Sequence, residues 1–219
     1  MPRLLFEKKG NAVWISHLDL MRVFQRAFKR AGYALTHTQG FNPRPSVSIA
    51  LPLSVGVESV CELLDFDLEG EWGTFDQLVA SMNDGLTEGI VVREAYEKGK
   101  KIGELSYLRS IVTLEYDLGV PENAVDEIKA LFALSDITVT KKTKNGMQDQ
   151  NIIPMIHSVK IAKRSENTIE LNVIHCCQNP TLNPMQITLA IEKYLPLLKP
   201  DFSKCRRLEV YDSKMQIFR

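Results

Sequence analysis

Four basic residues in the first part of the chain share one face of a predicted helix. At relative positions 0, 4, 7 and 8 they fall within about one third of the circumference of an α-helix. They are Arg22, Arg26, Lys29 and Arg30. On that face the sequence offers no acidic residue to pair with them. Guanidinium groups bind phosphate through paired hydrogen bonds and stack on bases. The pattern predicts a phosphate-binding surface, with a solvated helix face as the alternative.

Directly after this helix comes a loop rich in hydrogen-bonding side chains, Thr36–Ser46, with the sequence THTQGFNPRPS. Proline on both sides of Arg44 restricts Asn42 and Arg44 to extended backbone, which lowers the entropic cost of binding. Phe41 has the shape to stack on a base, and the amides of Gln39 and Asn42 offer donors and acceptors for base edges. The candidate RNA-binding residues of the loop are His37, Gln39, Phe41, Asn42 and Arg44. An equally physical alternative is a packed loop, whose Asn and His cap backbone groups and whose Phe fills the core.

Two histidines of the first half are candidate acid–base groups. His17 stands at the predicted start of the helix, where the helix dipole disfavours imidazolium and leaves a neutral base. His37 lies in the loop. The pair would serve an endoribonuclease as general acid and base, although such histidines are more often structural. Because the sequence has no Ser/His/Asp, HExxH, GxGxxG or Walker pattern, we predict no catalytic site unless the protein is such a nuclease.

The cysteines do not form a metal-binding pattern. Cys61, Cys176, Cys177 and Cys205 lack the spacing of a zinc or iron–sulfur site. His175 precedes Cys176, but neighbours in a strand point to opposite faces. We therefore predict no metal and no cofactor. Free thiols, the lack of a signal peptide and the lack of a membrane-length apolar run predict a cytoplasmic protein that does not enter a membrane.

A further basic segment, Lys141–Gly146, contains three lysines and ends in Asn-Gly, which is a strong hairpin signal. These lysines would project from the strand that enters the turn, as a basic finger along a phosphate backbone. Lysines that keep an edge strand from aggregating explain the pattern equally well.

Charge is distributed unevenly along a chain of zero formal net charge. Residues 1–48 hold eight basic and two acidic residues, a local charge of +6, and residues 58–97 hold eleven acidic residues and one arginine, a local charge of −10. Any electrostatic binding site must therefore be local. Solvated faces explain both segments by default, and the acidic one is also a candidate surface for docking a protein partner.

The elements that must position these residues follow from hydrophobic periodicity. A helix begins at the N-cap Ser16, with Asp19 three residues on, and stops at Gly32; a second begins at Thr74 with Gln77 in the equivalent place. Alternating residues predict strands at 3–9, 47–53, 62–68 and 90–96. The first half therefore reads βαββαβ.

The second half repeats this order with one additional strand or hairpin. Strands are predicted at 107–116, 137–142, 156–163, 168–175 and 207–211, and helices from Pro121 and from Asn183–Pro184. We therefore predict an α+β protein of two tandem ferredoxin-like halves, residues 1–99 and 104–219, each with an antiparallel sheet and helices on one face.

The runs SHLDLMR, QGFNP and LPLSVGVES, all within residues 14–59, carry a family resemblance. The chain resembles the bacterial radical-SAM-associated domain of unknown function, which occurs fused after radical-SAM proteins or as a separate chain encoded beside one. The resemblance implies a separately encoded radical-SAM partner, since this chain lacks CxxxCxxC. The family has a remote likeness to the repeat-associated RNA-processing proteins of CRISPR systems, which are built from paired ferredoxin-like folds.

Three functional hypotheses follow. The first is a non-catalytic RNA-binding partner, which presents an RNA substrate to the radical-SAM enzyme. The second is a metal-independent endoribonuclease of the repeat-processing type. The third is a protein-interaction adaptor of the radical-SAM enzyme, which docks through the acidic segment and binds no RNA.

Overall fold

The computed structural model describes residues 1–143 and 146–219. The chain divides into two compact units, residues 1–102 together with Arg219 and residues 103–218. Within the described ranges it forms four α-helices and ten strands, and the pairs formed within each unit are antiparallel. The prediction of a mixed fold with mostly antiparallel strands is confirmed. Each described helix is too short or too polar to cross a membrane.

The first unit has the element order βαββαβ. Its elements are β1 (Pro2–Lys8), α1 (His17–Arg30), β2 (Val47–Ile49), β3 (Glu58–Phe66), α2 (Phe75–Gly85) and β4 (Ile90–Glu97). The strands lie in the order β4–β1–β3–β2. Both helices begin at the predicted caps. At the start of α2 the Thr74 hydroxyl accepts the Gln77 N–H, and the Gln77 side-chain oxygen accepts the Thr74 N–H. The two bonds form a complete capping box.

Strand β2 ends at Ile49, whereas its alternation predicts a strand that continues to residue 53. Ala50 still donates its N–H to the Leu63 carbonyl at 2.9 Å. Pro52 has no N–H to continue the ladder, and Gly56 has a φ of +83°, which turns the chain. Residues 50–57 are therefore a connecting loop, and strand β3 follows from Glu58.

One hydrophobic core joins the two helices to the sheet of the first unit. The rings of Phe6 on β1 and Phe24 on α1 meet edge to face with centroids 4.6 Å apart, and the Phe28 and Phe66 rings are 5.1 Å apart. Full burial of one such side chain contributes about 1.5–3 kcal/mol. Because this face of α1 is buried, the opposite face of the helix stays in solvent.

The second unit has the same order with an inserted hairpin. Its elements are β5 (Leu105–Glu115), α3 (Ala124–Leu131), β6 (Thr138–Thr143), β7 (Gly146–Asn151), β8 (Ile156–Arg164), β9 (Thr168–Cys176), α4 (Met185–Tyr194) and β10 (Phe202–Asp212). Strands pair in the order β10–β5–β9–β8. The additional strand is one arm of the separate β6–β7 hairpin. Part of the predicted lysine finger, Lys144 and Asn145, lies outside the described residues.

Strand β10 begins at Phe202, earlier than the predicted residue 207. The prediction missed its first half because that segment is polar and lacks a strand pattern. Phe202 to Arg207 pair in register with Glu115 to Ser110 of β5, so the neighbouring strand imposes the extended conformation. Strand β9 alternates as predicted, and Ile169, Leu171 and Val173 are completely buried in the core of this unit.

Candidate nucleic-acid interface

Helix α1 begins with a local network of side chains. The Ser16 hydroxyl accepts the Asp19 N–H at 3.2 Å and donates to the Asp19 carboxylate at 2.7 Å. This hydroxyl, and after it the Arg22 guanidinium, lower the pKa of Asp19 below its ordinary value. Asp19 therefore stays ionised at the positive end of the helix dipole, where an anion is favourable.

The prediction that the basic face has no acidic partner is wrong for one of its four residues. Arg22 donates from Nη1 to the Asp19 carboxylate at 2.8 Å, as an i,i+3 pair. The two residues are three apart on the helix, so the pairing needs no tertiary contact. Both side chains are exposed, and a pair of this kind contributes little to stability.

The other three cations of the face are available to a ligand. Arg26, Lys29 and Arg30 are exposed, and among the described residues none of them forms an ion pair. Lys29 and Arg30 also occupy the last turn of α1, where cations are favourable. We call Arg22, Arg26, Lys29 and Arg30 the basic face.

The loop after α1 is a hydrogen-bonded hairpin, and we call residues 36–46 the hairpin loop. The Thr38 N–H donates to the Arg44 carbonyl at 2.9 Å, and the Ser46 N–H donates to the Thr36 carbonyl at 2.8 Å. The Thr38 hydroxyl accepts the Arg44 N–H at 3.0 Å. The Thr36 hydroxyl donates to Asp67 at 3.0 Å and ties the base of the loop to the chain after β3. The two arms are therefore held together independently of the tip.

The tip of the hairpin loop projects away from the core. Phe41 is 111% exposed, so the alternative in which this ring fills the core is wrong. Gly40 has a φ of +132°, a conformation that favours glycine. The side chains of His37, Gln39, Asn42 and Arg44 are exposed. In the part of the chain that the structure describes, these four side chains make no hydrogen bond, and the residue that caps the backbone is Thr38.

The two candidate histidines make no direct contact with each other within the described residues. His17 is the first residue of α1, and its inaccessible Nδ1 atom has no hydrogen-bond partner among the described residues. His37 is an exposed residue in one arm of the hairpin loop and bridges to Pro45 through the backbone. Within the described chain no hydrogen bond or ring contact joins the two imidazoles.

A third histidine, His175, lies buried in the second unit. Burial lowers its pKa to about 4, so the ring is neutral near pH 7. Its Nδ1 lies 3.1 Å from the Cys176 carbonyl, which can only accept, so Nδ1 carries the proton. Its Nε2, 3.3 Å from Oγ of Ser110, then accepts from the hydroxyl. Within residues 1–143 and 146–219 no group of three His, Cys, Asp or Glu could hold a metal.

The acidic segment 58–97 has two different parts. Asp65 on β3 is buried and accepts from Nε of Arg3 at 2.6 Å and from Nη2 at 3.2 Å. This ion pair joins strands β1 and β3 within the sheet. Glu62 is buried as well. Seven others are exposed, namely Glu69, Glu71, Asp76, Asp84, Glu88, Glu94 and Glu97. Glu58 and Asp67 are half-buried, so the seven exposed carboxylates form most of the acidic surface that faces solvent.

Sequence reasoning missed two exposed apolar side chains at the start of α1. Trp14 is 69% exposed and Leu18 is 68% exposed. The sequence held a signal for Leu18, since it falls outside the apolar positions Leu20, Phe24, Ala27 and Phe28 that face the core. For Trp14 it held none, because a lone tryptophan before a helix is usually mostly buried.

Comparison with solved structures shows similarity of fold. The "Crystal Structure of a Cbf5-Nop10-Gar1 Complex" matches with a TM-score of 0.50 and 9% identity, over 95% of this chain and 48% of that chain. The "Crystal structure of the archaeal box H/ACA sRNP Nop10-Cbf5 complex" matches with a TM-score of 0.46 and 9% identity, over 94% and 46% of the two chains. The chain therefore spans about half the length of the structures it resembles. No curated protein sequence matches it significantly.

The sequence also matches a family model described as "Uncharacterized protein conserved in bacteria (DUF2344)". The match covers residues 2–184, which include the basic face, the hairpin loop and all of the first unit except Met1 and Arg219. Because the match extends over far more than half of the 219 residues, the chain belongs to this bacterial family.

Proposed function

We propose that the first unit binds RNA and that the protein presents this RNA to a separately encoded radical-SAM enzyme in the cytoplasm. The observation that carries the RNA-binding part is the tip of the hairpin loop. A fully exposed Phe41 stands there among exposed Gln39, Asn42 and Arg44, on arms held by hydrogen bonds. An exposed ring among two amides and a guanidinium, on arms held by hydrogen bonds, has the composition of a surface that stacks on bases and bonds to their edges.

The two parts of the surface have different tasks in this proposal. The basic face binds phosphates, since its cations are exposed and three of them are unpaired among the described residues. Such contacts provide affinity without sequence preference. The hairpin loop reads bases, because aromatic rings stack on unpaired bases and amides bond to their edges. We assign no catalytic step to the protein in this proposal.

We further propose that both units are ferredoxin-like, as two tandem halves. The strand orders β4–β1–β3–β2 and β10–β5–β9–β8, each with two helices after the first and third strands of the repeat, support this proposal. It agrees with the remote likeness to CRISPR repeat-associated proteins. The similarity to the Cbf5 complex concerns fold alone and adds no argument about ligands.

Fluorescence anisotropy with labelled single-stranded RNA tests the proposal. If about three to five phosphates are neutralised, log K should fall with log salt at a slope of roughly −2 to −4. Changing Arg26, Lys29 and Arg30 to Ala removes three of the cations and should flatten the slope by about 2. These side chains are exposed, so the variant should keep the circular dichroism spectrum of the parent.

A matched control removes three exposed cations from β8 in the second unit. The variant with Lys160, Lys163 and Arg164 changed to Ala has the same change in net charge. It should keep the parent affinity and salt slope. Equal losses in both triple variants would mean that RNA responds to net charge alone, and the absence of binding to any RNA would contradict the proposal.

The adaptor is the second candidate function, and the seven exposed carboxylates of residues 69–97 favour it. Co-purification of the tagged protein with its bacterial partners tests both functions. We expect a radical-SAM protein among the partners. If that complex forms after ribonuclease treatment, and the protein alone binds no RNA, the adaptor function replaces RNA presentation.

A further inference from the structure

The backbone on both sides of Trp14 is held in place by hydrogen bonds. Lys8 is completely buried, and its ammonium donates to the carbonyls of Val13 at 3.2 Å and of Ile15 at 2.7 Å. The residues on both sides of Trp14 are therefore fixed by one charged group. The Gly56 N–H donates to the same Val13 carbonyl at 3.0 Å. The two hydrogen bonds of the Lys8 ammonium are charge-assisted and therefore stronger than hydrogen bonds between neutral groups.

The ring of Trp14 also rests against the loop that follows β2. Its Cζ3 atom lies 3.7 Å from the place that a Cβ on Gly56 would occupy, which is van der Waals distance. Val55, beside that glycine, is itself exposed. Trp14 thus has one side toward a fixed backbone and most of its surface toward solvent. Two further apolar side chains are exposed in neighbouring parts of the chain, Val55, which precedes Gly56, and Leu18, which is four residues after Trp14.

Leu18 shares one side of α1 with the basic face. At 100° per residue, Leu18 and the four cations fall within an arc of about 120° around α1. Leu18 begins this arc, and Arg22 follows one turn later on the same side. An exposed tryptophan that shortly precedes a helix with a row of cations has the composition of a site for single-stranded nucleic acid, in which rings stack on bases and cations follow phosphates.

We infer that Trp14 is a stacking platform for a base of single-stranded RNA, at the end of α1 opposite the hairpin loop. This inference rests on the proposed function and names a further contact of that site. Helix α1 has 14 residues and a length of about 21 Å. The strand would stack on Trp14, pass along the basic face and meet Phe41 beyond the other end. Because the backbone that carries the ring is already fixed, binding loses less conformational entropy, which favours this use.

Intrinsic fluorescence tests the platform directly, because the chain has two tryptophans. Trp72 packs against Phe75 and Phe66, with ring centroids 5.2 and 6.4 Å apart. In a Trp72→Phe background, Trp14 is the one remaining indole. Titration with single-stranded RNA of roughly ten nucleotides, within the usual site sizes, should quench its emission. The midpoint should equal that of the anisotropy titration.

Substitutions of Trp14 then separate stacking from other roles. Trp14→Ala should weaken RNA binding by roughly 5- to 150-fold, the effect of one stacked base. Trp14→Phe should recover most of the affinity and Trp14→Leu little, because an aromatic face is needed and not apolar area alone. Phe202→Ala, which removes an exposed ring from the second unit, should have no effect.

The outcomes distinguish this inference from the function on which it rests. If RNA binding requires the basic face but Trp14→Ala binds normally and the Trp14 emission is unchanged, the platform is wrong and RNA binding stands. If no RNA binds, both fail. If Trp14→Ala leaves RNA affinity intact but abolishes co-purification with a protein, the surface docks a protein partner and the inference is overturned.

Discussion

The first helix of each unit has the same place in the element order, yet the two helices carry different surfaces. Helix α1 holds four basic residues and one acidic residue, whereas α3 holds two acidic residues and one basic residue. Each helix nonetheless buries an apolar face, which includes Phe24 in α1 and Ile128 in α3. Packing constrains that face alone and leaves the solvent face free to diverge. A repeated architecture therefore does not imply a repeated binding site.

The segments after these helices differ in the same way. In the second unit the β6–β7 hairpin is attached to the core, since Val139 is buried and Lys193 donates to the Thr138 carbonyl at 2.8 Å. In the first unit the hairpin loop is attached at its base, and its tip with Phe41 is exposed. An attached hairpin adds to the core, whereas a projecting tip is free to meet a ligand.

Removing a core side chain tests whether the buried faces of the two helices are equivalent. Phe24→Ala should lower the free energy of unfolding by about 3–5 kcal/mol and Ile128→Ala by about 2–5 kcal/mol, because both leave cavities. Urea denaturation followed by far-UV circular dichroism measures both. A loss below about 1 kcal/mol for either variant would show that the two helices are not packed alike.

Acid should destabilise the protein through the second unit. All four histidines lie within the described residues, and of these only His175 is buried. Burial lowers its pKa from 6.5 to about 4, so between these values the unfolded chain binds a proton that the folded chain does not. Uptake of this proton by the unfolded chain lowers the free energy of unfolding. The loss begins as the pH falls below 6.5, is complete near pH 4 and does not increase below that pH. In total it amounts to about 3 kcal/mol.

The variant His175→Gln is the control for this pH dependence, because glutamine does not titrate. Its unfolding free energy should lose the slope between pH 6.5 and 4, whatever its stability at neutral pH. Hydrogen exchange should locate the acid-induced opening in β9 rather than in β1. A slope that remains in His175→Gln would assign the effect to other groups.

Single substitutions in the hairpin loop should separate RNA recognition from stability. Arg44→Ala should reduce the preference for a favoured RNA over a scrambled one by about 1–3 kcal/mol, the size of one base contact. Phe41→Ala should weaken RNA binding while its unfolding free energy stays within about 0.5 kcal/mol, because the ring is exposed. An RNA preference that Arg44→Ala leaves intact, together with a lower melting temperature for Phe41→Ala, would make the loop a structural element.

The smallest expected effect concerns Asp19, which pairs with Arg22 of the basic face. Asp19→Asn removes the negative charge that competes with phosphate for this arginine and keeps a side-chain oxygen that can accept from the Ser16 hydroxyl. RNA should bind more tightly, and the salt slope should become steeper by about 0.7, the contribution of one phosphate. Unchanged binding in anisotropy would show that Arg22 does not contact RNA.

Much of the fold could be predicted from local patterns. The caps Ser16 and Thr74 act within one helical turn, and alternation in β9 reflects one strand with one buried face. The errors fall where distant residues decide. Strand β10 extends through a polar segment because β5 pairs with it, and β2 stops before Pro52 although the alternation continues.

The candidate site was predicted where local patterns decide it and was left open where distant residues decide it. The exposure of the basic face follows from helical periodicity, so the sequence alone determined it. The Asp19–Arg22 pair follows from the same spacing and was overlooked. Whether Phe41 filled the core or faced solvent was open, since a loop sequence does not reveal which surface lies beneath it.

The sequence by itself determined where helix α1 begins, which of its faces is apolar and where its cations lie, because these depend on residues within a few positions of one another. Only the tertiary structure decided which polar and aromatic groups are buried. It placed Lys8 inside the first unit and His175 inside the second, and it left Trp14 and Phe41 in solvent. Burial depends on which distant segments pack together, and no local pattern contains that information.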